Sequence, residues 1–271
     1  MSVKGAKVIN EDLIVNNYLK SVRLFFESIA DVTRFIMQFF REVFLPPYEF
    51  SEFLSISYKI GYKSLPLVII TGFIMGLVLT VQSRPTLVEF GAESWLPAMV
   101  AISIIREIGP VITALIFAGK VGSGIGAELA SMKVTEQIDA MEVSGINPFK
   151  YLVVTRVVAG IIMLPALVII GDSVSLYGAY IGCNLKSVVS FHFFFLQVFE
   201  KLTFSDIFPA FIKTFFFGFA VTIISCFKGY NANSGTEGVG EAANSSVVLG
   251  SLLIFIIDMI VVQITSLLNY S

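Results

Sequence analysis

Four ionisable side chains, Arg106, Glu107, Lys213 and Asp258, interrupt long apolar runs. At the centre of a bilayer each would cost about 2.5–3.5 kcal/mol on insertion scales. Four left unpaired would cost around 10 kcal/mol, comparable to the whole stability of a domain. They must face each other, water or the interior of a helix bundle. Arg106 and Glu107 are adjacent, and neighbours at i and i+1 on a helix point in different directions. Each therefore needs a partner on another segment, and the expected pairs are Glu107–Lys213 and Arg106–Asp258. Such a network can fix helix register, relay movement between the two faces of the membrane, or carry protons. The residue types allow all three.

The second candidate region is 119–150. Gly119, Gly122, Gly124 and Gly126 read as a glycine-rich turn leading into one helix from Ala127 to Val143, which Gly145 ends. Leu129, Met132, Ile138, Met141 and Val143 alternate there with Glu128, Lys133, Glu136, Asp139 and Glu142, the pattern of a short surface helix with one apolar edge. The glycines do not form a nucleotide cradle. A P-loop needs GxxxxGK[ST] after a strand, and here Gly119-Lys120 is followed by valine. The motif is absent from the whole chain, so no ATPase activity is expected of this polypeptide, and the glycines are read as sites of tight helix packing and turning. His192 alone builds neither a zinc site nor a triad. Cys183 and Cys226 end apolar runs and are read as small hydrophobes. No cofactor or metal site is expected.

The elements that must position these residues follow from composition. Of 271 residues, 56% are hydrophobic and 14% charged, against about 45–50% and about 25% in soluble domains. The fold class is all-α and polytopic. Five spans are expected, at Leu65–Gln82, Leu96–Ala118, Tyr151–Cys183 (broken by Pro165 and Asp172), Ile207–Phe227 and Val247–Leu268. Before them, residues 13–45 read as an amphipathic helix lying in the interface. Its Leu19, Val22, Phe25, Phe26, Ile29, Ile36, Phe39, Phe40 and Val43 recur every three or four positions, and Pro46-Pro47 ends it. The domain division expected is 1–64, with this helix, and 65–271. Gly72 with Gly76, and Gly178 with Gly182, are candidate dimer-face pairs. The first twelve residues lack a signal-peptide pattern, so the N-terminus is expected to be retained.

Orientation follows from lysine and arginine. Residues 1–64 hold eight and 119–156 hold four, with Lys228 in the last loop on the same side. The opposite loops hold only Arg84, Lys186 and Lys201. The N-terminus and 119–150 are therefore expected on the cytoplasmic side. The formal charge of −2, with no dominant basic patch, gives no reason to expect a nucleic-acid partner.

Certain segments resemble the MlaE/YrbE permease family from about Leu65 onward. They are Ser103-Ile-Ile-Arg-Glu-Ile-Gly-Pro110, Phe117-Ala-Gly-Lys-Val-Gly-Ser-Gly124, Ala127-Glu128, Met132-Lys-Val-Thr-Glu-Gln137, Met141-Glu142 and Asn147-Pro148, with Lys213, Gly229-Tyr230 and Asp258. The spacing from Asp139-Ala140-Met141 to Gly145 is similar to the EAA loop with which ABC permeases engage their ATPase. The resemblance implies a homodimeric phospholipid permease in the bacterial inner membrane. It would move lipid between inner and outer membrane and maintain outer-membrane asymmetry. Two copies of a separate ATPase would dock on a coupling helix at 127–145 through Glu128, Lys133, Glu136, Gln137, Asp139, Met141 and Glu142. A ring of Mce-domain substrate-binding proteins would sit on the outer face. The lipid cavity would lie at the dimer centre between the first and fifth spans, with Leu77, Thr80, Val81 and Arg84 near its mouth. Arg84 departs from the uncharged residue common there. A permease for another lipid, an ion-coupled secondary transporter and a membrane scaffold are the rival readings.

Overall fold

The computed structural model describes residues 26–185, 189–233 and 235–269. Lys186 and the predicted amphipathic helix before residue 26 lie outside them. Every described element is helical. The chain parts into two compact units, Met1–Pro46 and Pro47–Ser271.

In the first unit α1 spans residues 26–43 and stops just before Pro46-Pro47, where proline removes a backbone donor and constrains its predecessor. Arg34 pairs with Asp31 one turn away at 2.6 Å, while Phe26, Met37 and Phe40 are exposed.

In the second unit five helical segments are long and apolar enough to cross a membrane: Phe50–Glu89, Glu93–Val134, Phe149–Asn184, Phe204–Tyr230 and Thr236–Leu267. Each holds one expected span, the fifth short of its Leu268 end by one residue, and each runs further at one or both ends. The first helix, α2, covers Phe50–Glu89. Its 40 residues reach about 60 Å at 1.5 Å per residue, twice the bilayer's hydrocarbon core. Its extra turns hold Lys59 and Lys63 beyond the apolar run, and Leu65 falls inside the helix.

The second span is one rod built of α3 (Leu96–Ser103), α4 (Gly109–Phe117) and α5 (Ser123–Val134), joined by π-helical turns at Ile104–Ile108 and Ala118–Gly122. The first π turn has a local cause. Pro110 has no N–H for the Arg106 carbonyl, and the Gly109 N–H reaches back to Ile104 O. The expected glycine-rich turn at 119–126 is thus continuous helix. Gly122 lets the rod approach Ser225, where an added Cβ would stand 3.0 Å from Oγ, and Gly126 lets it approach Ala242.

After α5 come α6 (Gln137–Val143), α7 (Thr155–Asn184, preceded by a π turn at Phe149–Val154), α8 (Phe191–Lys201), α9 (Phe204–Tyr230) and α10 (Thr236–Asn269). The helix α8 lies in what the hydropathy pattern leaves as a loop. Ser190 caps its start by accepting from Phe193 N–H at 3.3 Å, and Phe194 and Val198 bury against Leu96, Val100 and Ala179. α7 packs against α2 on one side and α9 on the other, α9 packs against α10, and α5 lies across α9 and α10.

Both glycine pairs act inside the chain. A Cβ on Gly72 would meet Gly171 O at 2.8 Å, one on Gly76 would overlap the Ser175 carbonyl, and Gly178 and Gly182 face Phe73, Leu77 and Thr80. The expected dimer-face motifs are therefore the two halves of the α2–α7 contact, where small residues let backbones approach closely.

Candidate functional site

The π turn at Ile104–Ile108 carries Arg106 and Glu107, α9 carries Lys213 one third of the way along its length, and α10 carries Asp258. These elements converge on one ammonium. Lys213 Nζ donates to Glu107 Oε2 at 2.9 Å and to Asp258 Oδ1 at 2.8 Å. The Lys213 side chain is 2% exposed, that of Asp258 15% and that of Glu107 40%. The expected tie between the second, fourth and fifth spans is present, and Glu107–Lys213 is one of its bonds. The other expected pair is not formed. Arg106 lies on a different side of the rod, half exposed, 3.7 Å from Asp206 in the first turn of α9. The cause is the one that separates adjacent side chains on any helix. With Arg106 turned away, Lys213 serves both acids.

Two acids join the site that the charge pairing missed. Asp206 accepts from the Thr203 backbone and hydroxyl in a capping box, so its carboxylate starts α9 and faces Arg106 at once. Asp172 on α7 has one carboxylate oxygen buried without a hydrogen-bond partner. A Cβ on Gly109 would fall on that oxygen, so the Gly109-Pro110 step is what admits Asp172 to the rod. For Asp172 the sequence signal was the same as for the other four, an ionisable residue inside an apolar run.

The predicted coupling helix is two helices. After Val134 the chain turns through Glu136, whose φ of +58° is left-handed, and restarts as α6 at Gln137. Lys133 and Asp139 brace the elbow at 2.9 Å. α6 ends in a Schellman closure: Ile146 N–H reaches Met141 O at 3.0 Å, with Gly145 at φ +78°. Ile138 holds α6 down, while Glu136, Gln137, Asp139 and Glu142 are exposed and Met141 is half-buried. Val143 is 91% exposed at the tip. Glu128 is the exception among the expected coupling residues. It turns inward to Lys59 at 3.0 Å and Arg156 at 3.4 Å.

The four expected mouth residues divide. Thr80 is fully buried against Gly182 and donates to Gly76 O at 2.8 Å, so it belongs to the α2–α7 seam. Leu77 lies beside that seam, half-buried, and Val81 one turn further on is exposed. Arg84 folds over the end of α7, donating to Cys183 O at 3.2 Å and pairing with Glu93 at 2.5 Å. Cys183 and Cys226 are both buried, and His192 is exposed on α8. The described residues contain no cluster of three or more His, Cys, Asp or Glu that could hold a metal.

The sequence profile of the permease MlaE family matches residues 53–264. The chain belongs to the MlaE permease family. A probable ABC transporter permease of Rickettsia typhi is 38% identical, over 93% of this chain and 97% of that protein. The intermembrane phospholipid transport system permease protein MlaE of Haemophilus influenzae is 36% identical, over 76% and 79%. A probable ABC transporter permease of Synechocystis is 34% identical, over 73% and 75%. In this MlaE-family chain the matched region takes in all five membrane-crossing segments, the Lys213 site and the α5–α6 elbow. It is thus a multi-pass membrane permease, and its part is transport.

Proposed function

We propose that this chain is the membrane subunit of an ABC transporter that moves phospholipids between the inner and outer membranes of a bacterium. The observation that carries the reading is the α5–α6 elbow. A rod that begins at Glu93 runs unbroken to Val134 and ends in a short capped helix with an apolar tip. A push on α6, passed across the Lys133–Asp139 brace to α5, would reach Arg106 and Glu107 along the rod. That is what a subunit without a nucleotide site needs if a separate ATPase is to drive it. The phospholipid cargo rests on the Haemophilus relative's name.

The remaining assembly follows the same reading. Two copies of the chain pair, and each engages one ATPase through Glu136, Gln137, Asp139, Met141 and Glu142, with Lys133 bracing the elbow. The lysine and arginine asymmetry supports a cytoplasmic N-terminus and elbow. α2 and α10 bury only 22% and 11% of their most apolar windows within one chain, which supports a cavity between the first and fifth spans of two copies. Leu77, Val81 and Arg84 lie along the α2 end of that cavity, with Thr80 behind them. An Mce-domain protein would sit on the outer face.

The test is purification of the tagged protein in mild detergent, with mass spectrometry of bound proteins and lipids. An ATPase, an Mce-domain protein and phospholipid should copurify, and charge reversal at Glu136 and Asp139 should release the ATPase alone. Isolation with neither protein would overturn the reading.

A further inference from the structure

A second charged feature lies away from the Lys213 site, between the early turns of α2, the α5 end of the rod and the start of α7. It is a cleft of about 440 Å³, within the size range of small-ligand sites. Its walls are apolar, formed by Ile56, Ile60, Val121 and Ile125, and its charged lining is Lys59, Lys63, Lys120 and Arg156 with Glu128 as the single acid. Glu128 is shared by Lys59 and Arg156. Among the described residues no carboxylate pairs with Lys63 or Lys120, and the Lys120 ammonium donates to the Lys63 carbonyl. Arg156 is 3% exposed, and its Nε has no hydrogen-bond partner, nor has the buried Ser64 Oγ on the same wall. Gly124 opens the cleft, because nothing lies within 4 Å of where its Cβ would be.

This combination selects a ligand with an anionic head and a hydrocarbon body. Four cations against one acid draw a negative group, and buried donors without acceptors call for one that accepts hydrogen bonds. The apolar walls call for a chain. The depth agrees. Tyr58 and Tyr62 stack on the exposed side of the same turns of α2, centroids 5.0 Å apart, and tyrosines of this kind mark headgroup level. Lys59 and Lys63 precede the apolar run that begins at Leu65, on the face that the charge asymmetry makes cytoplasmic.

We propose that this cleft binds an anionic phospholipid from the cytoplasmic leaflet, its phosphate among Lys63, Lys120 and Arg156 and an acyl chain along Ile56, Ile60 and Ile125. The site is argued from charge and shape alone, so it stands whether or not the transport reading does.

The test is native mass spectrometry of the purified full chain, without any ATPase, titrated with phosphatidylglycerol, phosphatidylcholine and inorganic phosphate. Wild type should retain phosphatidylglycerol in preference to phosphatidylcholine. Each of Lys59→Gln, Lys63→Gln and Lys120→Gln should weaken that binding about fivefold, and the triple variant about a hundredfold. Gly124→Leu changes no charge, has open space at its Cβ and puts its side chain on the cleft lining, and it should weaken binding at least tenfold with the melting temperature held or raised. Equal retention of the two lipids, inorganic phosphate displacing the lipid at equal concentration, or unchanged binding in Gly124→Leu and the triple variant would each overturn the proposal.

Discussion

Replacing Lys213 by methionine keeps most of the side-chain volume and removes the charge. The ammonium is 2% exposed and bonds to two carboxylates at 2.9 and 2.8 Å, so its loss leaves Glu107 and Asp258 facing each other unpaired. Breaking a buried pair by removing one partner costs about 3–5 kcal/mol. For a chain of this size that lowers the melting temperature by about 10 °C. The two acids should then answer differently. Asp258 is 15% exposed and Glu107 40%, so Asp258 is the more enclosed acid and the costlier one to leave without its partner. Adding Asp258→Asn to Lys213→Met should recover about 1–2 kcal/mol, and adding Glu107→Gln less than about 1 kcal/mol. The assay is thermal unfolding of the three single variants, the two double variants and wild type in one detergent, analysed as double-mutant cycles. If Lys213→Met and Asp258→Asn add to within about 0.5 kcal/mol, the three residues are not an energetic unit and the reasoning fails.

Arg106→Ala should change stability by less than about 1 kcal/mol, since its contact with Asp206 is long and half exposed; the same unfolding assay checks this. Gly76→Val should strongly lower the yield of monodisperse protein in size-exclusion chromatography, because a side chain there meets the α7 backbone at Ser175 and Ala179. Gly145→Ala should cost about 1 kcal/mol, because φ +78° suits glycine and the Schellman closure depends on it. Its effect should be greatest on ATPase copurification, which reads the α6 tip directly.

The number of spans, their order and the site around Lys213 were legible because charge in an apolar run is costly enough to dictate a partner. What escaped was what happens between neighbours. The Glu107–Lys213 pair was legible, but that Arg106 goes to Asp206 and leaves Asp258 to Lys213 depends on the π turn at Ile104–Ile108, and no periodicity announces a π turn. The glycines at 119–126 carry the composition of a turn, yet Gly122 and Gly126 have the helix partners Ser225 and Ala242, and packing overrode local preference. Gly76 and Gly178 show the reverse limit. The motif correctly marks a close helix contact, but sequence does not say whether the second helix belongs to the same chain. The elbow at Glu136 was invisible because a glutamate at positive φ has no signature. Gly145, which has one, was placed correctly.

The π turns have a consequence for how this chain can change length. Each is in effect a one-residue insertion already absorbed by a helix, widening one turn while the helices on either side keep their faces. Removing a residue there would return the turn to α geometry and leave both flanking faces in phase. Removing one from the middle of α4 or α7 would rotate everything beyond it by about 100°. In the Ala118–Gly122 turn, Gly119 faces open space. That turn is therefore where the rod between the Lys213 site and the α6 elbow can lose a residue and still deliver both ends to the same neighbours.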